Sequence, residues 1–421
     1  MNYKARHAEK TVLGLADMFG AVLVTGARQV GKSTLLEHLA PAARQTTMDD
    51  ASALLSANTS PETFFDYNPP PVFVDEIQRA PRLFPEMKKR IDRTRTKGMF
   101  YLSGSQQFQM MKNVGESLAG RVGIVHLTGL SLRERGNIID TEPFLPDPAF
   151  LSRGVKASSP PPPLTAPDVW KLIHRGDKPE LALNPPFDWS RYYGAYVQTY
   201  IERDVRELAQ VADVLKFQTF MAVMAARTGQ MLNLSEVARD TGVSQPTAER
   251  WLAVLQASGI VWLLRPWHNN LVKRAIKTPK LYFMDTGLAA YLTRWTSPEV
   301  LAAGAMAGAF FETFVVVEVL KSYLNQGELN PPLHYYRDKE HREIDLLIIK
   351  DGAAYPVEIK KTGTPRLEDI KAFRVLDGIA GLRRAPGGVV CMGSGSGSAS
   401  GSGATPLPLA GSDAIIPVTF L

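Results

Sequence analysis

Residues 21–39 read AVLVTGARQVGKSTLLEHL: an apolar run, a glycine-bounded loop and a helix-forming stretch in direct succession. No other feature constrains the fold as tightly. Residues 26–33 fit G-x-x-x-x-G-K-[ST], and a strand before with a helix after is the context that pattern requires. Glycines let backbone N–H groups close around phosphates, and a helix N-terminus adds a favourable dipole. Gly26, Gln29, Gly31, Lys32, Ser33 and Thr34 are therefore expected to hold ATP. Lys32 should reach the β- and γ-phosphates, and Ser33 should ligate Mg2+.

The run VFVDE, residues 72–76, delivers Asp75 and Glu76 to a strand end. Beside a P-loop, Asp75 is expected to hold Mg2+ through its water shell. Glu76 is expected to orient and deprotonate the attacking water. A third run, MFYLSGSQ, ends in Ser103 and Ser105, which either sense the γ-phosphate or simply make a turn. Arg121, in LAGRVG, is a candidate charge-stabilising arginine for its own subunit or for a neighbour's.

The chain has 421 residues, too many for one core, so two or three domains are expected. Hydrophobic residues at 45% and charged residues at 21% fit a soluble globular protein. A lone cysteine, Cys391, excludes a disulfide scaffold and fits a reducing cytoplasm. No apolar run approaches the roughly 20 residues that cross a bilayer. The N-terminal MNYKARHAEK lacks the apolar core of a signal peptide. These features predict a cytoplasmic protein with no membrane partner. A net charge of +6 permits a polyanionic partner without demanding one.

Alternating apolar and helical stretches over residues 1–140 predict an α/β domain around a buried parallel sheet. The prolines of SSPPPP and NPP, between about 154 and 187, predict a boundary with exposed loops. The segment LNLSEVARDTGVSQPTAERWLAVLQASGIV, residues 232–261, has helix-turn-helix spacing. Ser244 is the expected cap of its second helix, Pro246 fits the first turn, and GIVWLLRPW should form a wing. Such units often enter the major groove. The second helix carries Arg250 beside Glu249, so its outer face has no net positive charge. Residues 265–280 hold Arg265, Lys273, Arg274, Lys277 and Lys280 with no acid, which makes this run the better phosphate contact. A solvated basic face explains it equally well.

Residues 343–361, EIDLLIIKDGAAYPVEIKK, read as two strands around a Lys-Asp-Gly turn. Alternate residues share a face, so Glu358 and Lys360 lie together and can converge with Asp345 across the hairpin. Glu312, in the preceding helix AFFETFVVVEVL, is a possible fourth member. Burying these groups unpaired is costly. Either they pair with one another, or carboxylates hold Mg2+ while it keeps several waters. A metal there would activate a water against a phosphodiester. Further on, GGVVCM and IIPVTFL could be strands joined by the flexible GSGSGSASGSGA.

Taken together, LVTGARQVGKSTLL, VFVDEIQRAPRLFPEMKKRID, YLSGSQ, SLAGR, YVQTYIERDV, KRAIKTPKLYFMDTGLAAYL, FFETFVVVE and EIDLLIIKDGAAYPVEIKK resemble one group of proteins over nearly the full length. These are the prokaryotic AAA-type ATPases fused to a C-terminal restriction-endonuclease-like domain, the domain of unknown function 4143 proteins. The resemblance implies an α/β fold in four parts: an AAA-type P-loop domain with a parallel sheet over 1–140, a linker and helical lid with a Pro-rich insert over 141–200, a winged-helix region over 201–280, and an α/β nuclease-like domain over 281–421. It carries the nucleotide roles onto Gly31, Lys32, Ser33, Asp75 and Glu76. It also maps Glu312, Asp345, Glu358 and Lys360 onto the metal site of the PD-(D/E)xK nuclease fold.

The expected protein hydrolyses ATP with Mg2+ and acts on nucleic acid, DNA in the first instance, as a motor that remodels duplex or branched structures. An ATP-gated nuclease is an alternative. The resemblance implies a homo-oligomer, with a ring among the possible forms. A regulatory switch that docks a protein partner is the rival from another class, favoured by the non-basic recognition helix.

Overall fold

The structure, a computed structural model, describes residues 3–105, 117–138, 140–152, 164–201, 214–268, 278–393 and 406–421. Its contacts divide the chain into two compact units. Unit 1 comprises Met1–Leu130 with Ala257–Gly259 and Tyr323–Leu329. Unit 2 comprises Ser131–Gln256, Ile260–Ser322 and Asn330–Leu421, so the three segments read after residue 140 share one compact unit.

Unit 1 is built on five parallel strands: β1 (Ala21–Thr25), β2 (Arg44–Thr47), β3 (Val72–Asp75), β4 (Phe100–Gly104) and β5 (Val122–His126). They lie in the order β2-β3-β4-β1-β5. Parallel neighbours need crossover connections; α2 (Lys32–Leu39), α3 (Ala51–Thr59), α4 (Pro61–Tyr67) and α5 (Leu83–Thr94) lie in them, while α1 (Glu9–Met18) precedes β1. Both faces of the central strands β1, β3 and β4 are covered, which is why these read as apolar runs, whereas the edge strand β2, RQTT, is polar and partly exposed. Ala21 and Leu23 pack with Val72, Val74, Phe100 and Leu102 on one face. Val22 and Val24 pack with Phe73 and Val125 on the other. Leu23 and Phe100 are fully buried, and truncating Phe100 to alanine should cost about 3–5 kcal/mol through lost transfer energy and the cavity left behind.

Unit 2 opens with α6 (Leu132–Arg135), α7 (Pro148–Ser152), α8 (Ala166–Arg175), α9 (Pro179–Leu183) and α10 (Trp189–Tyr196). Of the span expected to be loop between about 154 and 187, NPP (184–186) is an exposed turn, while residues 166–175 and 179–183 are helical. Thr165 caps α8 in a capping box with Asp168, and the helix carries a proline in its first turn; Pro179 opens α9. A proline in the first turn removes only an N–H that had no partner, so it starts helices rather than breaking them. The Pro-rich run itself lies outside the described residues.

The helix-turn-helix spacing is realised by α11 (Val214–Ala225), β6 (Gln230–Met231), α12 (Leu234–Thr241), α13 (Gln245–Ala257), β7 (Val261–Leu264) and β8 (Lys280–Phe283). Gly242 ends α12 in the left-handed region, φ 69°. The Ser244 hydroxyl accepts a hydrogen bond from Thr247 N at 3.3 Å, the capping contact expected at the start of α13. Trp251 of α13 meets Phe217 and Phe220 of α11 edge-on at 5.2 and 5.4 Å. Strands β6, β8 and β7 form a small antiparallel sheet with β8 in the centre.

Then follow α14 (Thr286–Leu292), α15 (Pro298–Ala303), the long α16 (Ala307–Leu324) and a seven-stranded sheet. Asp285 caps α14: it accepts from Gly287 N at 2.9 Å and from the Tyr193 hydroxyl at 2.8 Å. Gly176, at φ 82°, leaves no room for a Cβ beside that pair. The sheet strands are β9 (Leu333–Arg337), β10 (Glu343–Lys350), β11 (Ala353–Lys360), β12 (Arg383–Arg384), β13 (Gly388–Cys391), β14 (Leu407–Ala410) and β15 (Asp413–Pro417). Their order is β14-β15-β13-β11-β10-β9, with β12 beside β11. The turn between β10 and β11 is Asp351-Gly352, with φ 51° and 70°, the left-handed pair that matches strand twist in a two-residue hairpin. GGVVCM and IIPVTFL supply β13 and β15, which pair in parallel. Among the described residues no helix is long and apolar enough to cross a membrane.

Candidate functional site

In a parallel sheet, ligands bind beyond the carboxyl ends of the strands, where the strand order reverses. Here β4 sits between β1 and β3, so the ends of these three strands converge on the loop after β1. Gly26 leaves β1 at φ 145°, and a Cβ there would overlap the Leu127 carbonyl oxygen. Only glycine permits that approach. Gly31 forms the left-handed N-cap of α2, followed by Lys32 and Ser33. Gln29 also has positive φ, 60°. The Lys32 ammonium donates to the Gly26 and Ala27 carbonyls at 3.1 and 2.9 Å, bridging the turn of the loop.

The Ser33 hydroxyl stands 3.0 Å from each carboxylate oxygen of Asp75. Ser103, next to Asp75 across the β3–β4 ladder, donates to the same carboxylate. Glu76 follows at φ 52°, a left-handed conformation that costs a non-glycine residue about 1 kcal/mol. Its carboxylate accepts from the Gln78 side-chain amide and lies 3.4 Å from the Ser105 hydroxyl. Ser103 and Ser105 therefore touch the two acids rather than merely forming a turn. Thr34 lies in α2, one residue beyond Ser33.

Three contributors to this end of the sheet were not singled out from sequence. Arg6, with 6% exposure, donates to Val30 O and Thr128 O at 2.8 Å each, tying the phosphate loop to the segment after β5. Gln78 holds Glu76. His126, at the end of β5, packs its Nδ1 3.3 Å from the Thr25 hydroxyl. Burial, aided by the nearby Lys32 ammonium, pulls its pKa down to about 4.

Arg121 is placed otherwise than a role in its own site requires. It immediately precedes β5, and its carbonyl accepts from Ala21 N at the start of β1. The phosphate loop follows the other end of β1, a strand of five residues, so roughly 15 Å of strand separates them. The guanidinium pairs instead with Asp92, at 2.6 Å.

In unit 2, Arg250 is exposed on α13 with Glu249 beside it. Lys273, Arg274 and Lys277 lie outside the described residues. Lys280 corrects the reading of its basic run as surface. It is 3% exposed, on the central strand β8. Its ammonium lies 2.9 Å from Glu312 Oε1, 2.6 Å from Glu343 Oε1 and 3.6 Å from Asp345 Oδ1. Desolvation opposes the charge, but Tyr282 and the three carboxylates outweigh it and raise the Lys280 pKa well above the usual range.

The acids mapped onto a metal site are thus already engaged. Glu312 also accepts from the Tyr282 hydroxyl at 2.7 Å. Asp345 accepts from Ile359 N at 3.0 Å across the hairpin. Glu358 pairs with Lys360 at 2.6 Å through one oxygen, while its buried Oε2 has no partner. Burial and then the Asp345 charge raise the Glu358 pKa, against the pull of Lys360. Among the described residues no group of three His, Cys, Asp or Glu side chains is placed to hold a metal ion. The set Glu312, Asp345 and Glu358 does not fit one.

The strand-end arrangement in unit 1 is that of an AAA-type P-loop ATPase. An AAA domain family matches residues 19–136, a domain of unknown function (DUF8612) matches 167–299, and another (DUF4143) matches 307–410. Two curated proteins, each described as uncharacterized, one of Mycobacterium bovis and one of Mycobacterium tuberculosis, are each 31% identical over 351 residues. The match covers 82% of this chain and 71% of each relative. The chain belongs to the family of these mycobacterial proteins, with an AAA domain ahead of a DUF4143 domain.

Solved structures align less closely. A Walker-type ATPase of Pyrococcus abyssi gives a TM-score of 0.43 at 14% identity, covering 68% of this chain and 94% of that one. Thermotoga maritima RuvB, described as a Holliday junction branch migration motor, gives 0.30 at 18% identity, covering 62% and 89%.

Proposed function

We propose that this ATPase hydrolyses Mg2+·ATP to remodel nucleic acid, DNA first among the candidates, as a homo-oligomer whose unit 2 supplies the contact surface. The observation that carries the hydrolytic part is the convergence of Ser33, Asp75 and Ser103 at neighbouring strand ends. The donor set fits a hard cation: one hydroxyl and one carboxylate of the protein, leaving the other positions to water and phosphate oxygens.

Backbone N–H groups of the loop and the α2 N-terminus bind the phosphates, with Lys32 releasing its carbonyl contacts to pair with them. Ser33 and Asp75 would hold Mg2+, which when bound would supply charge neutralisation at the transferred phosphoryl group. Glu76 orients a water and takes its proton. Gln78 and Ser105 fix the direction in which that carboxylate points. Arg121 is available to a neighbouring subunit's site only by giving up Asp92.

The nucleic-acid part is supported by the order β6-α12-α13-β7-β8, which suits helix insertion into a groove, by the exposed Arg250, and by the chain's net charge of +6. The rival, a switch that docks a protein, draws on the inward turn of Lys280 and on Glu249 beside Arg250, both of which thin the positive surface. Steady-state ATP hydrolysis by the full chain in Mg2+, alone and with single-stranded, duplex and four-way-junction DNA, separates the two. Stimulation by one form, weakened in Arg250→Glu and by added salt, is the expected result. Equal rates with and without every DNA form would overturn the nucleic-acid reading and leave the switch.

A further inference from the structure

We propose that Lys280 is the resident cation of the acidic cluster in unit 2: its ammonium fills the place where a divalent metal would neutralise Glu312, Glu343 and Asp345, and the protein holds no such metal there. This inference rests on the geometry of unit 2 alone and is independent of whether ATP hydrolysis acts on nucleic acid.

The charges nearly balance without a metal. Four carboxylates, Glu312, Glu343, Asp345 and Glu358, face three cations, Lys280, Lys360 and Arg337, the last pairing with Glu343 at 2.9 Å. Lys280 alone touches three of the four acids. Tyr282 and the Tyr335 ring, 5.6 Å from the ammonium, complete its enclosure. A divalent ion among the same carboxylates would stand within a few ångströms of a fixed positive charge, with little water to screen it.

Nor can Lys280 readily step aside. It begins β8, the central strand of its sheet, and every residue of that strand is buried. A lysine on a loop could swing its head group into solvent; one on an enclosed strand would have to carry its backbone along. The unpartnered Oε2 of Glu358 is a single acceptor, and one acceptor beside an engaged Asp345 does not make a cage. The cluster therefore joins β8, β10 and α16 as an internal ion network with no seat for a metal that would support cutting.

The test is Mn2+ binding to the nucleotide-free full chain, followed by electron paramagnetic resonance of the free ion. Any Mn2+ held near Ser33 and Asp75 is common to all variants and cancels in the comparison. Wild type and Asp345→Asn are expected to give the same isotherm. Lys280→Met, which keeps the stem and removes the charge, is expected to bind one further Mn2+ with affinity raised by about tenfold or more. Adding Asp345→Asn to that variant should remove the gain. The proposal is overturned if wild type binds a Mn2+ that Asp345→Asn abolishes, or if folded Lys280→Met gains none. Should Lys280→Met fail to fold, the comparison of wild type with Asp345→Asn decides the matter alone.

Discussion

The Ser33 hydroxyl is equidistant, at 3.0 Å, from the two carboxylate oxygens of Asp75, although 42 residues separate them in sequence. Strand order brings this about: with β4 between β1 and β3, the helix after β1 starts opposite the end of β3. Both groups suit a hard cation. Ser33→Ala should therefore leave nucleotide binding measurable while lowering kcat by about 100-fold and raising the Mg2+ needed for half-maximal rate. A Mg2+ titration of the hydrolysis rate checks this, and an unchanged Mg2+ requirement would remove Ser33 from the metal's shell.

Glu76→Gln should abolish turnover, by about 100- to 10,000-fold, while ATP still binds, because the amide keeps the shape but cannot take a proton. Gln78→Ala separates position from chemistry. It frees the carboxylate of its amide partner and should lower kcat by a smaller factor than Glu76→Gln, with KM for ATP little changed. Single-turnover hydrolysis beside equilibrium nucleotide binding makes the distinction.

His126 predicts a pH effect on stability whose sign is fixed. Its folded pKa is about 4 against an ordinary 6.5, with burial the larger cause and Lys32 the lesser. The unfolded chain therefore takes up the proton first. The contribution is fully present above about pH 6.5 and is lost as pH falls toward 4, on the order of 3 kcal/mol over that window. His126→Asn should flatten the acid limb of a plot of Tm against pH. An unchanged limb would assign acid lability to other groups.

Asp285 is the converse case. Burial, and after it the nearby Asp177, raises its pKa, with Lys178 opposing. A raised carboxyl pKa means stability present below about pH 3.8 and lost as pH rises through the folded value. Asp285→Asn keeps an acceptor for Gly287 N and removes the charge, so at pH 8 it should be neutral or slightly stabilising. Asp285→Ala strands Gly287 N, leaves the Tyr193 hydroxyl only the Arg175 carbonyl at 3.3 Å, and should cost about 1–3 kcal/mol. Urea midpoints of the two variants at pH 8 provide the comparison.

What could be read in advance was mostly local. The loop after β1 carries its geometry in its glycines, and VFVDE announces a buried strand with acids at its end. The turn Asp351-Gly352 is likewise written in two adjacent residues. The place of Arg121 was legible as well: a residue just before a parallel strand lies at the amino edge, away from its own site at the carboxyl edge, which leaves the neighbour's site of the two alternatives. NPP marks a turn as expected, whereas Pro167 and Pro179 open helices, because a proline's effect depends on its position within a turn and Thr165 with Asp168 made the first turn of α8 a permitted place. Lys280 was not legible. In sequence it belongs to a basic run, and only the pairing of β8 with β6 and β7 turns it inward. One signal was available in KLYF, where Lys280 and Tyr282 alternate onto one face, as a core-facing polar pair does.

The Lys280 network also bears on how unit 2 comes apart. Its members arrive from β8, α16 and the β10–β11 hairpin, segments up to 80 residues apart. None of them can leave alone without stranding a desolvated charge on the others, a penalty of about 3–5 kcal/mol. Fraying of any one segment is discouraged for that reason, and the unit is poised to open as a whole. Amide hydrogens on β8, β10 and the middle of α16 should then exchange together, at one shared and slow rate, as a single cooperative block.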